Sequence, residues 1–186
     1  MTQTTSSATS ALPALVMARA AGVRLMIFDV DGILTDGGLH FGPEGELQKR
    51  FNVLDGHGIR LLQQTGIVTA IISARSSPIV ARRAADLQIA HVIQGAHDKR
   101  TAFDQLCAAT GTVPTACGFA GDDWLDLPVL TRVGFAASVP NAHAEVQGRV
   151  HYVTRAGGGC GAVREICDLI LRAQGNYEAV LAPYLS

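Results

Sequence analysis

The chain has 186 residues, 48% of them hydrophobic, and its 15 basic and 16 acidic side chains leave a formal charge of -1. A domain of this size removes roughly 70% of its unfolded surface from water, so a full core and a single domain over residues 12–186 are expected. No lysine or arginine run gives the footprint of a nucleic-acid binder, and no apolar run approaches the roughly 18 residues that would cross a bilayer, which leaves a small, compact ligand.

Residues 1–11, rich in Thr and Ser and lacking a basic n-region, read as a mobile, disordered tail on a soluble protein. A short apolar run at 24–28 predicts the first strand. Behind it, Gly38-Leu39-His40-Phe41 and residues 46–51 flank the turn cluster Gly42-Pro43-Glu44-Gly45, which predicts a β-hairpin. Helical spacing over 55–64 ends at Gly66, and a strand follows at 67–72. A helix over 78–87 has proline near its start, 91–93 reads as a strand, and a helix over 99–110 stops before Gly111. Further strands are expected at 115–120, 133–137 and 151–153. Residues 157–186 combine a glycine-rich segment with a helical C-terminal tail, whose first helix, 162–174, aligns Val163, Ile166, Cys167, Ile170 and Leu171 on one face. Strands that are continuous runs of Val and Ile, alternating with helices, indicate an α/β fold with a doubly wound parallel sheet. The four cysteines, Cys107, Cys117, Cys160 and Cys167, form no CxxC pair and read as reduced thiols of a cytoplasmic protein.

In such a sheet, ligands bind beyond the carboxyl ends of the strands. Asp29 and Asp31 fall at the end of the first strand, where two positions apart on extended backbone they start from one side. Paired carboxylates there can hold a hard cation and divide nucleophile from general acid/base. The bland reading is a strand ended by a DxDG turn, or Asp31 as a helix cap. Against it, Ser73 ends the second strand, Lys99 starts a helix, and Gly121-Asp122-Asp123-x-x-Asp126 follows a third strand, all on the same edge.

Taken in order, Phe28-Asp29-Val30-Asp31-Gly32-Ile33-Leu34-Thr35, Ser73, Lys99 and Gly121-Asp122-Asp123-Trp124-Leu125-Asp126 resemble the four signatures of the haloacid dehalogenase superfamily of phosphotransferases. The resemblance implies a Rossmann-like core in which Asp29 attacks phosphorus to form an aspartyl-phosphate, and Asp31 acts as general acid and base. It implies Mg2+ held by Asp29, the Asp31 carbonyl and Asp122, with Ser73 and Lys99 binding the phosphoryl group. Asp126 fits the spacing of a carboxylate that orients the metal shell or pairs with the lysine. Asp123 has either such a role or that of a solvated acid at a helix start.

A cap domain needs about 50 residues, and neither 32–72 nor 74–98 spares them beyond the expected elements, so a capless site with a hairpin flap after the first strand is expected, open in the monomer and covered by pairing in a homo-oligomer. Within the superfamily the chain resembles the capless group that hydrolyses 3-deoxy-D-manno-octulosonate 8-phosphate, an acidic sugar phosphate of lipopolysaccharide precursor synthesis. Leu34-Thr35-Asp36-Gly37, residues 55–60, Gly121-Asp122-Asp123, Tyr152-Val153-Thr154 and residues 157–165 carry this likeness. It implies a homotetramer, substrate contacts from Arg60, Arg75 and Arg83, and a glycine-rich segment around Gly158 that reaches a neighbouring site. The arginines suit a carboxylate, although Arg83 is equally read as a solvated helix residue. Ser73-Ala74-Arg75 and Cys160 depart from the group's common Thr-Gly-Arg and Arg. A phosphatase for a nonulosonate 9-phosphate and a catalytically silent sugar-acid-binding oligomeric domain are the alternatives.

Overall fold

The protein is described by a computed structural model over residues 14–185; the tail expected at 1–11 lies outside the described residues. The chain order is α1 (Ala14–Ala21), β1 (Leu25–Phe28), β2 (His40–Gly42), β3 (Gly45–Gln48), α2 (Val53–Gln64), β4 (Val68–Ile72), α3 (Pro78–Asp86), β5 (His91–Ile93) and α4 (Lys99–Thr110). It continues with β6 (Cys117–Ala120), α5 (Leu127–Leu130), β7 (Phe135–Ser138), α6 (Ala144–Gln147), β8 (Tyr152–Val153), α7 (Ala162–Ala173) and α8 (Tyr177–Leu181). Six strands form one sheet in the order β5-β4-β1-β6-β7-β8, and every pairing is parallel.

Parallel sheets are covered on both faces because each crossover returns over one of them. All four residues of β1 are buried and they divide by alternation. Met26 and Phe28 join Val16 and Ala20 of α1, Ile59 and Leu62 of α2, Val80 of α3 and Val163, Ile166 and Ile170 of α7. Leu25 and Ile27 join Phe103 and Leu106 of α4, Val129 of α5 and Val146 of α6. The strand that leads to Asp29 is thus clamped between two cores, a rigid base for a site at its end. The stripe expected on α7 is fully buried. Helix starts follow local chemistry: Asn52, Ser77 and Asp98 cap α2, α3 and α4 with side-chain oxygens. The helices α1, α5 and α6 were not foreseen.

The hairpin β2-β3 stands apart as a two-stranded antiparallel sheet, and its turn uses Gly45 at φ +119°. No cap domain lies among the described residues.

Candidate active site

Asp29, Ser73 and Asp122 follow β1, β4 and β6, three neighbouring strands of the sheet, and Lys99 opens α4. The chain does not stay extended beyond Asp29. Residues 30–34 wind into a tight turn in which Asp31 has ψ 113° and Gly32 φ +96°. Strand alternation therefore does not carry through to Asp31: the Asp29 carboxylate accepts from Lys99, and the Asp31 carboxylate accepts from Lys49 just after the hairpin.

Asp29 is 6% exposed and Lys99 3%. The Lys99 ammonium donates to Asp29 Oδ1 at 2.8 Å and to Asp126 Oδ1 at 2.6 Å. Asp126 Oδ2 accepts from the backbone N–H groups of Asp122 at 2.9 Å and Asp123 at 3.1 Å. Both oxygens of Asp126 are thus engaged in holding Lys99 and the Asp122 loop. Asp123 is exposed, and its carboxylate accepts from Trp124 N at 2.8 Å as a helix cap. The alternatives left open in the sequence separate: Asp126 enters the site and Asp123 caps the turn beside it.

Carboxylate oxygens of Asp29, Asp122 and Asp126 lie within 4.8 Å of one another. Three anions against one ammonium leave a buried excess of negative charge. Burial, followed by the charge of Asp126, pushes Asp29 up to about 7 against the pull of Lys99. Burial, followed by the charges of Asp29 and Asp126, pushes Asp122 up to about 8. Burial alone would lower Lys99, but Asp29 and Asp126 outweigh it and hold the ammonium above its ordinary value. A hard divalent cation with oxygen ligands is the species this donor set fits. Gly32 makes the arrangement possible: a Cβ there would lie 2.1 Å from Asp122 Oδ2.

Ser73 is buried, and its hydroxyl accepts from Arg75 N at 3.3 Å. Arg75 itself is brought to the site, with Nε 3.7 Å from Asp31 Oδ2 and its guanidinium 5.5 Å from the Phe41 ring. Arg60 is not. Its place on α2 turns it toward Gln63 Oε1 at 2.6 Å and the Leu87 carbonyl at 3.4 Å, beside Val68 and Thr69 at the opposite end of β4. Arg83 lies under the start of α2, over the Phe51 ring and 3.4 Å from the Asn52 carbonyl. Gly158 is buried against its own chain. A Cβ on it would meet Gly32 O at 1.8 Å, its N–H donates to Asn141 Oδ1 at 3.1 Å, and Gly159 N donates to Ile33 O at 2.9 Å. With those N–H groups engaged, the segment wedges the Asp29–Thr35 turn and is neither an open anion nest nor a loose connector. His57 faces Tyr184 and Arg164.

Three hairpin contacts were not foreseen. Lys49, its side chain 1% exposed, donates to Asp31 Oδ1 and lies 3.0 Å from Glu46 Oε1. Glu46 in turn accepts from the Ser77 hydroxyl. Burial would lower Lys49, but hydrogen bonds to Asp31 and Glu46 outweigh it and hold the group above its ordinary value.

No protein-family model matches the chain. It is 46% identical over 163 residues to the 3-deoxy-D-manno-octulosonate 8-phosphate phosphatase of Yersinia pestis, covering 88% of this chain and 87% of that protein. Among solved structures it is similar to the same-named phosphatase from Moraxella catarrhalis in complex with a magnesium ion, a phosphate ion and a KDO molecule. That likeness has a TM-score of 0.88 and 44% identity, over 91% of this chain and 97% of the other. The cobalt-bound phosphatase of Haemophilus influenzae superposes with a TM-score of 0.87 at 38% identity, over 90% and 99%. By this identity, sustained over nearly the whole of both chains, the protein belongs to the 3-deoxy-D-manno-octulosonate 8-phosphate phosphatases of the haloacid dehalogenase superfamily.

Proposed function

We propose that this chain is a magnesium-dependent phosphatase that hydrolyses 3-deoxy-D-manno-octulosonate 8-phosphate to the free sugar acid and phosphate. The observation that carries the reading is the buried cluster of Asp29, Asp122 and Asp126 around one lysine, in a chain nearly half identical to phosphatases of that name. Asp29 attacks phosphorus in line and the bond to the sugar oxygen breaks. Asp31 gives its proton to the departing alkoxide, then takes one from the water that cleaves the aspartyl-phosphate. Lys99 and the Ser73 hydroxyl hold the phosphoryl oxygens, and Asp126 fixes Lys99. The Asp29 and Asp122 carboxylates with the Asp31 carbonyl would hold Mg2+, which when bound neutralises charge on the transferring group. Arg75, beside Asp31, meets the substrate's carboxylate. Arg60, Arg83 and Gly158 have partners elsewhere in the chain and carry no step here.

The enzyme acts in the cytoplasm as a homotetramer in lipopolysaccharide precursor synthesis. The assembly is supported by the exposure of Leu39, Phe41 and Leu47 on the hairpin and of Val53 and Leu54 at the start of α2, apolar side chains of the kind that interaction sites cover. No helix among the described residues is long and apolar enough to cross a membrane.

Phosphate release across eight- and nine-carbon sugar acid phosphates, with and without Mg2+, tests the substrate; preferred turnover of the nine-carbon ester would reverse it. Unchanged release by Asp29→Asn would end the mechanism. A monomer by light scattering at micromolar concentration would remove the tetramer.

A further inference from the structure

The hairpin does more than shield the site. Strand β3 ends at Gln48, so the next residue leaves the ladder and Lys49 turns inward, its side chain 1% exposed, between two carboxylates. Glu46 bridges Lys49 to the Ser77 hydroxyl, the N-cap of α3. Ser77 is fixed by its own N–H, which donates to Gln94 Oε1 at 2.7 Å. The chain of contacts from α3 through the hairpin therefore ends on one oxygen of the residue assigned as acid and base.

We propose that Lys49 is a positioning residue for Asp31, secured by Glu46 and Ser77, which locks the carboxylate so that Oδ2 exchanges the proton with the departing oxygen. Three facts support it. Lys49 occupies Asp31 Oδ1. Arg75 Nε stands 3.7 Å from Oδ2, beyond hydrogen-bond reach. Asp31 lies in a turn whose backbone does not fix its side chain by strand alternation. A carboxylate held at one oxygen by a buried ammonium keeps a single rotamer, and general acid catalysis is sensitive to such placement. When the P–O bond to the leaving group breaks and the bond to Asp29 forms, the proton on Asp31 Oδ2 passes to the leaving oxygen and Asp31 is left as a carboxylate facing Lys49. Water attack on the aspartyl-phosphate then returns a proton to Asp31.

This rests on the phosphatase reading but not on the sugar substrate, and aryl phosphates separate the two. The value of kcat/KM reports only steps through release of the alcohol. p-Nitrophenol departs without a proton, whereas phenol leaves far better with one. Lys49→Met is expected to lose about 30-fold in kcat/KM on phenyl phosphate, less than the roughly 10²–10⁴-fold that general acid catalysis supplies in full because the acid itself remains, and less than about threefold on p-nitrophenyl phosphate. Glu46→Gln, which leaves Lys49 in place with a neutral neighbour, should shift the ratio of the two substrates in the same direction by about threefold to tenfold. It also provides the reading if the Lys49 variant does not fold. Equal losses on both esters, or an unchanged ratio in Glu46→Gln, would overturn the assignment. A wild-type enzyme active on aryl phosphates but inactive on the sugar acid phosphate would refute the substrate alone.

Discussion

Replacing Gly32 by alanine separates backbone strain from loss of the metal site. The residue has φ +96°, and a Cβ there would lie 2.1 Å from Asp122 Oδ2 and 2.5 Å from its Cγ. The positive φ costs an L residue roughly 1–2 kcal/mol, which for a chain of this length lowers Tm by about 2–8 °C. The carboxylate has the second problem, since it must retreat from 2.1 Å to the 3.4 Å of ordinary contact. Displacing a ligand by that distance should weaken Mg2+ binding by at least about tenfold to a hundredfold, the range seen even for residues behind the ligands. Gly66→Ala supplies the control: its φ is +83° and nothing lies within 4 Å of its Cβ. Thermal scans and Mg2+ titration of activity should show similar Tm losses in both variants but weakened magnesium dependence only in Gly32→Ala. Wild-type magnesium affinity in Gly32→Ala would refute the argument that this glycine exists to admit Asp122.

Without magnesium the site should oppose folding as pH rises. Asp29 and Asp122 are raised to about 7 and about 8 from an ordinary 3.8, so the folded state holds more protons than the unfolded one between about pH 4 and 8, and stability falls across that window. Thermal scans in a chelator should show Tm falling from pH 5 to 8, and added Mg2+ should remove most of the fall; a flat chelator profile contradicts the charge cluster. Asp126→Asn removes one anion from it, so that fall should shrink, while kcat drops about tenfold or more as Lys99 loses a partner. An unchanged slope would show that Asp126 does not raise its neighbours. Gly158→Ala places a Cβ 1.8 Å from Gly32 O and 2.8 Å from Thr35 O. It should lower Tm and kcat together while leaving KM for p-nitrophenyl phosphate within about twofold, since the wedge supports the turn and touches no ligand; a selective rise in KM would instead make Gly158 a contact.

The sheet was legible because its strands are runs of apolar residues bounded by glycines and helix caps: β5 and α4 fall at the expected residues, and the other strands of the six-stranded sheet differ by one or two. The polar residues at strand ends followed from topology, which places Asp29, Ser73 and Asp122 on one edge. Asp31 was legible as a residue but not in direction, since the chain leaves extended geometry at that point. Lys49 was hidden by the same logic. Within a strand expected over 46–51, positions 46 and 49 would face opposite ways, and only the early end of β3 at Gln48 brings them together. Arg60 was assigned through a resemblance, whereas the structure directs it to Gln63 and Leu87. A short eight-residue segment such as α1 offers too little period to be recognised before its packing against β1 and α7 is known.

The position of α7 bears on how the protein is made. Met26 and Phe28 leave the ribosome early, but part of the cover of their face, Val163, Ile166 and Ile170, comes near the end of the chain, and the wedge of Gly158 and Gly159 behind the Asp29–Thr35 turn comes just before it. A nascent chain lacking residues 157–173 therefore has an apolar strand only partly covered on one side and an unsupported Asp29–Thr35 turn. Contacts so distant in sequence form slowly and leave surfaces exposed to aggregation meanwhile. Synthesis that stalls before α7 is expected to yield an insoluble product with no activity, so the Asp29–Thr35 turn is encoded first and completed last.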